Sequence, residues 1–121
     1  GGFNLYQKYR DRIEILGEEE IFALIFDSRL NFLKEIQIGQ HFNSQSAINT
    51  NFLVRNIFEV NGKHLVIMHN HLSEIPVPSE EDIYSTMKIS ERLKGLGLNL
   101  LDSMIFAKNG YYSFKEEGYL G

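Results

Sequence analysis

Apolar positions recur along the chain with two periods. EIFALIF (20–26) and FLKEIQI (32–38) are dense in β-branched and aromatic residues, and each predicts a strand. Asp27-Ser28-Arg29-Leu30-Asn31 supplies turn chemistry between them, so the two are expected to pair as a hairpin. Ahead of them, NLYQKYRDRIEIL (4–16) mixes charged and apolar residues as a short amphipathic helix does, and Gly17 suits its end. In INTNFLVRNIFEV (48–60), Phe52, Leu53, Ile57 and Val60 fall on one helical stripe, and Asn61-Gly62 closes it. HLVIMHN (64–70) is almost continuously apolar, the pattern of a strand covered on both faces. Residues 79–95 predict the clearest helix, with Ile83, Met87 and Leu93 on one broad face, Thr86 and Ser90 between them, and Gly95 and Gly97 at its end. LNLLDSMIFAK (98–108) predicts a long strand, Asn109-Gly110 a two-residue hairpin turn, and YYSF (111–114) the returning strand.

Strands and helices alternate through the middle of the chain, with an antiparallel hairpin at either end. That order predicts a three-layer α/β domain, a mixed β-sheet with helices packed on it. A length of 121 residues fits one domain, 1–121, with one sizeable core. Gly1-Gly2 fits a cloning remnant ahead of a piece of a longer protein.

Composition narrows the chemistry. Cysteine is absent, which excludes disulfides, Cys-ligated zinc and thiol catalysis, so any metal must be held by imidazole and oxygen. The longest apolar run, LVIM (65–68), is far too short to cross a bilayer, and nothing near the start reads as a signal peptide. A cytoplasmic location is the expectation, with no membrane partner. A net charge of −4 disfavours nucleic acid as a partner without excluding it, and Lys88, Arg92 and Lys94 read as a solvated helix face. Oligomeric state is not legible.

HNHLSEIPVPSEED (69–82) is the stretch that carries chemistry. Alternation along a strand sends His69 and His71 the same way, from the end of a central strand. Sites in α/β sheets favour that place. Two imidazoles and one carboxylate suit a three-ligand zinc site, and Asp82 lies in the first turn of the following helix. Ser79-x-x-Asp82 alone reads first as a capping box. The two roles compete, since a carboxylate on a metal is not expected to reach back to the cap as well. His64 and His41 read as structural or surface residues, and Glu74, Glu80 and Glu81 are further carboxylates near the motif.

The spacing His69-x-His71 followed by Ser79-x-x-Asp82 resembles the JAB/MPN (JAMM) zinc metallopeptidase motif. Over a longer span it is similar to the RadC branch of that family, whose pattern reads HNHPSG-x-P-x-PS-x-x-D. His69, Asn70, His71, Ser73, Pro76, Pro78, Ser79 and Asp82 match; Leu72 and Glu74 stand where that pattern has proline and glycine. LGLNLLDSMIF (96–106) and YYSF resemble the RadC continuation, and LIFDSRLNFLKEIQIG the strand–turn–strand that carries the family's glutamate, aligned with Glu35. The likeness covers roughly residues 18–120, without the helix-hairpin-helix region that precedes this domain in full-length RadC proteins.

The resemblance implies a fold shared in outline with cytidine deaminases, and one Zn2+ held by His69, His71 and Asp82. It implies Glu35 as general base, Ser79 as donor to the oxyanion, and hydrolysis of an amide in a peptide or isopeptide. The alternative is a RadC-like module that binds without catalysis, beside DNA-repair machinery. A deaminase signature needs cysteines the chain lacks, and no G-x-S-x-G elbow supports a serine nucleophile at Ser73 or Ser79.

Overall fold

Five strands form one sheet in the order β2-β1-β3-β4-β5. The structure is a computed structural model that describes residues 2–14, 17, 19–39, 49–73 and 75–121. The expectations for His41 and Glu74, and for helix ends at residues 15–16 and 48, lie outside the described residues. In chain order the elements are α1 (Gly2–Glu14), β1 (Ile21–Phe26), β2 (Phe32–Gly39), α2 (Thr50–Glu59), β3 (His64–Asn70), α3 (Glu80–Gly95), β4 (Asn99–Ala107) and β5 (Gly110–Ser113).

The sheet is mixed, as its alternating elements require. β1 pairs antiparallel with β2 and with β3, β4 pairs antiparallel with β5, and β3 with β4 is the parallel pair. β3 is therefore central, and its residues 65–70 are buried on both faces.

Side-chain alternation divides the core into two layers. Ile21, Ala23, Ile25, Leu65 and Ile67 face Leu53 and Ile57 of α2 and Ile89 and Leu93 of α3. Phe22, Leu24, Val66, Met68, Met104 and Phe106 face Tyr6 and Tyr9 of α1. The Tyr6 ring stands 5.5 Å from that of Phe106, and Tyr9 5.9 Å from Phe22. The molecule is thus helix, sheet and helix pair: the expected three layers.

Three local expectations shift. The buried face of α3 is Asp82, Ser85, Thr86, Ile89 and Leu93, with Met87 and Tyr84 exposed. The helix is turned toward its small polar residues, and Thr86 Oγ1 meets Ser103 Oγ of β4 at 3.4 Å. The last hairpin turns on Lys108 and Asn109, with Gly110 already paired to Ala107 at φ +149°. At the end of α2 it is Asn61 that takes the left-handed conformation, φ +55°. Gly62 is needed for room: a Cβ there would stand 2.5 Å from Ile25 Cγ2 and 3.2 Å from the Ile57 carbonyl oxygen.

Asp102 ties β4 to β5. Its Oδ1 accepts from the Ser103 and Lys115 N–H groups at 2.7 and 3.0 Å, and its Oδ2 from Ser113 Oγ at 2.6 Å. Burial pushes its carboxyl above the ordinary range, although these three bonds pull the other way.

Two outcomes follow for stability. Gly62→Ala forces a methyl against fully buried Ile25 and Ile57 and should cost about 1–3 kcal/mol in urea unfolding. Asp102→Ala strands three donors and should cost at least about 2 kcal/mol, while Asp102→Asn keeps the two backbone bonds and costs less. Because the folded pKa of Asp102 lies above the unfolded one, the folded state holds the proton longer. Its contribution to stability therefore falls as pH rises from the unfolded value through the folded one. Asparagine lacks this titration, so Asp102→Asn should gain on wild type across that interval, measured by urea melts at stepped pH.

Candidate metal centre

β3 runs into its own loop without breaking register. The His71 N–H donates to the Phe106 carbonyl at 2.7 Å, one residue past the end of the strand. His69 shares the pleat of Ile21, its antiparallel partner, and so faces α3. His71 follows two residues later on the same side. Pro76 and Pro78 lie in the loop that leads to α3, which is capped by Ser79 and carries Asp82 in its first turn.

His69, His71 and Asp82 each offer a ligand atom, and these atoms lie within 4.8 Å of one another. His71 Nε2 stands 3.2 Å from Asp82 Oδ2, and His69 Nδ1 3.8 Å from Asp82 Oδ1. The two imidazoles meet edge to face, ring centres 4.8 Å apart. All three side chains are largely buried. Among the described residues this is the group of three or more His, Asp and Glu that could hold a metal ion. Two nitrogens and an oxygen form a zinc-type donor set, and donors at about 2.0–2.2 Å from an ion lie roughly 3.4 Å apart, so small rotations would close them on one.

Burial and hydrogen bonding favour the metal-binding forms of His69 and Asp82, and draw His71 toward the charged form, which must lose its proton to ligate. Burial, with the like charge of His71, holds the His69 imidazole below its ordinary pKa. His71 is pushed up by its hydrogen bond to Asp82. Burial pushes the Asp82 carboxyl up, but the hydrogen bonds from His71 and the Ser79 amide, with the charge of both imidazoles, outweigh it and hold the group low.

Asp82 also caps its helix. The Ser79 N–H donates to Asp82 Oδ2 at 2.8 Å, and the Asp82 N–H donates to Ser79 Oγ at 3.0 Å. The capping box is formed, as the Ser79-x-x-Asp82 spacing alone predicts, and it leaves Asp82 beside both imidazoles. A carboxylate has two oxygens and about four lone pairs. Oδ2 serves the cap and also faces His71 Nε2, while Oδ1 is turned toward His69.

Glu35 is not brought to this cluster. It pairs with Leu24, whose side chain packs in the α1 layer, so it lies on the other face of the sheet. Arg12 of α1 holds it there with two bonds of 2.7 and 2.5 Å, and that hydrogen-bonded partner draws its pKa down.

The carboxylate that does approach is Glu19, which the sequence reading missed. Its Oε1 lies 3.6 Å from His69 Nε2, and its Oε2 accepts from the Leu72 N–H at 3.3 Å. The Asn70 side chain fixes this segment, its Oδ1 accepting from the Glu20 N–H at 2.6 Å. Leucine at 72 thus supplies a donor that proline, which the RadC pattern has there, lacks. The available signal was the run Glu18-Glu19-Glu20 just before β1. Antiparallel pairing with β3 sets the start of β1 beside the histidines. His64 is remote, at the other end of β3, where Nδ1 bonds Asn99 Nδ2 at 2.9 Å.

A family model for the RadC-like JAB domain matches residues 3–119. The chain belongs to that family. A UPF0758 protein of Thermotoga maritima is 31% identical to this RadC-like domain over 113 residues, 93% of this chain and 51% of the relative. One from Methanococcoides burtonii is 33% identical over 116 residues, 96% and 49%. One from Clostridium botulinum is 33% identical over 108 residues, 88% and 46%. The RadC-like domain spans about half the length of these relatives. No helix among its described residues is long and apolar enough to cross a membrane.

Equilibrium dialysis against a divalent metal, with elemental analysis, should find about one ion per chain and a loss of at least roughly 100-fold in affinity in Asp82→Ala. Ser79→Ala separates the two duties of Asp82: it should cost about 1 kcal/mol of stability and leave the stoichiometry intact.

Proposed function

We propose that this RadC-like domain is a zinc-dependent hydrolase of an amide bond, in a peptide or an isopeptide. The observation that carries the reading is the convergence of His69, His71 and Asp82 from two elements onto a shared point, with Glu19 alongside. In this reading His69, His71 and Asp82 hold the ion. When bound, zinc supplies a Lewis acid that lowers the pKa of its water from 15.7 to about 7.

The remaining roles belong to the chain. Glu19 takes the proton of the attacking water and returns it to the leaving amine. The Leu72 N–H engages one oxygen of that carboxylate, so the other stays directed at the centre. Ser79 Oγ accepts from the Asp82 N–H, and its own hydroxyl proton remains to be given to the oxyanion as negative charge develops. Glu35, paired with Arg12 across the sheet, steadies α1 and takes no part in proton transfer.

Fluorogenic peptide and isopeptide substrates test this reading. Glu19→Gln should keep the metal and lose at least about 100-fold in kcat, whereas Glu35→Gln should stay within about twofold of wild type. Equal turnover by Glu19→Gln and wild type removes Glu19 from the mechanism. A fully zinc-loaded domain that cleaves no amide in either substrate class is the binding module instead.

A further inference from the structure

The contact between α3 and the sheet carries a second polar rung beneath the metal cluster. Thr86 follows Asp82 by four residues, so the two stand one above the other on the buried face of α3. Ser103 of β4 pairs with Ile67, which lies two residues before His69 on the same side of β3. Four residues of helix and two of strand each advance roughly 6 Å. The Thr86 and Ser103 hydroxyls therefore meet one step deeper in the layer than His69 and Asp82.

Those hydroxyls do not satisfy each other well. Their oxygens are 3.4 Å apart, whereas an ordinary O–H···O bond spans roughly 2.5–3.0 Å. Both residues are buried, and a buried hydroxyl without a good partner is costly. The pair carries two protons, and a bond between them uses one. Asp82 has accepting capacity left as well. Its Oδ2 takes the Ser79 N–H and faces His71, while Oδ1 has His69 Nδ1 at 3.8 Å, beyond hydrogen-bond reach.

A small cavity of about 10 Å3 joins the two rungs. His69, Asp82, Thr86 and Ser103 all line it, and the rest of its wall is isoleucine and Phe114. Every one of these residues is buried. A single water needs roughly 10–15 Å3 and two to four polar partners, and the cavity supplies them.

We propose that this cavity holds one ordered water, which accepts from the Thr86–Ser103 pair and donates to Asp82, and that Thr86 and Ser103 are thereby positioning residues for the metal ligands. The role rests on the metal-centre reading above and concerns how firmly the ion is held. A hydrogen bond to a ligating carboxylate fixes its orientation, and losing such a partner weakens metal binding by roughly 10–100-fold.

The test combines a high-resolution crystal structure of the domain with zinc affinities measured by competition against a chromophoric chelator. The structure should show a water within hydrogen-bond distance of Thr86 Oγ1, Ser103 Oγ and an Asp82 oxygen; a dry cavity overturns the proposal. Thr86→Val keeps the shape of the side chain without its hydroxyl and should bind zinc at least about fivefold more weakly, with Thr86→Ser within about twofold of wild type. Ser103→Ala should weaken binding to a similar degree, and it carries the same comparison if Thr86→Val does not fold. The double variant should lose no more than about a further twofold over the more affected single variant, because both hydroxyls act through one water. Thermal melting of the metal-free proteins separates positioning from packing, since a merely structural role lowers the melting temperature and leaves the affinity where it was. Zinc held by Thr86→Val as tightly as by wild type overturns the proposal, as do losses that multiply in the double variant. A wild type that takes up no zinc sinks the metal reading and the positioning role with it, and the electron density then decides the water alone.

Discussion

Two parallel strands cannot be joined by a tight turn, so the chain must cross over to regain the starting end of the sheet. β3 and β4 are such a pair, and α3 is the crossover. A helix that carries the chain back has to begin where the first strand ends. The start of α3 is thereby placed beside the end of β3, whatever the loop between them does. Both imidazoles come from that strand end and Asp82 from that helix start. The cluster is a product of topology before it is a product of side-chain detail, and β1, laid antiparallel on β3, brings Glu19 to the same end for the same reason.

Within that frame, Asp82 is the residue under most demand. It satisfies an orphan N–H at the helix start, accepts from His71, and presents its second oxygen toward His69. Burial would favour its protonated form, but the donors around it outweigh that tendency. The histidines differ in turn: burial draws the deeper one toward its neutral form, and the carboxylate draws the shallower one toward its charged form. The cap and the metal-ready geometry support each other, because the bonds that start the helix also fix the orientation of the carboxylate.

Most of the scaffold was legible because it rests on periodicity. The β1–β2 hairpin, the doubly covered β3 and the long β4 appear where apolar alternation and composition set them. The misses share a cause. The buried face of α3 is built from Asp82, Ser85 and Thr86 as much as from Ile89 and Leu93, and counting apolar residues gives the polar ones no weight. Glu35 lies within β2 and Glu19 just ahead of β1, and what decides which approaches the histidines is the pairing of β1 with β3 and the face of the sheet. Pairing is a relation between distant residues, which a single sequence does not display. Gly62 shows the same limit, since its role is set by the approach of Ile25 and not by its own neighbours in the chain.

The Arg12–Glu35 clamp joins α1 to the outer strand of the sheet, on the face away from the histidines and Asp82. The three donors and α1 are therefore held by separate layers of the fold. Substitutions on the exposed side of α1 thus fall in a different layer from the two imidazoles and the carboxylate.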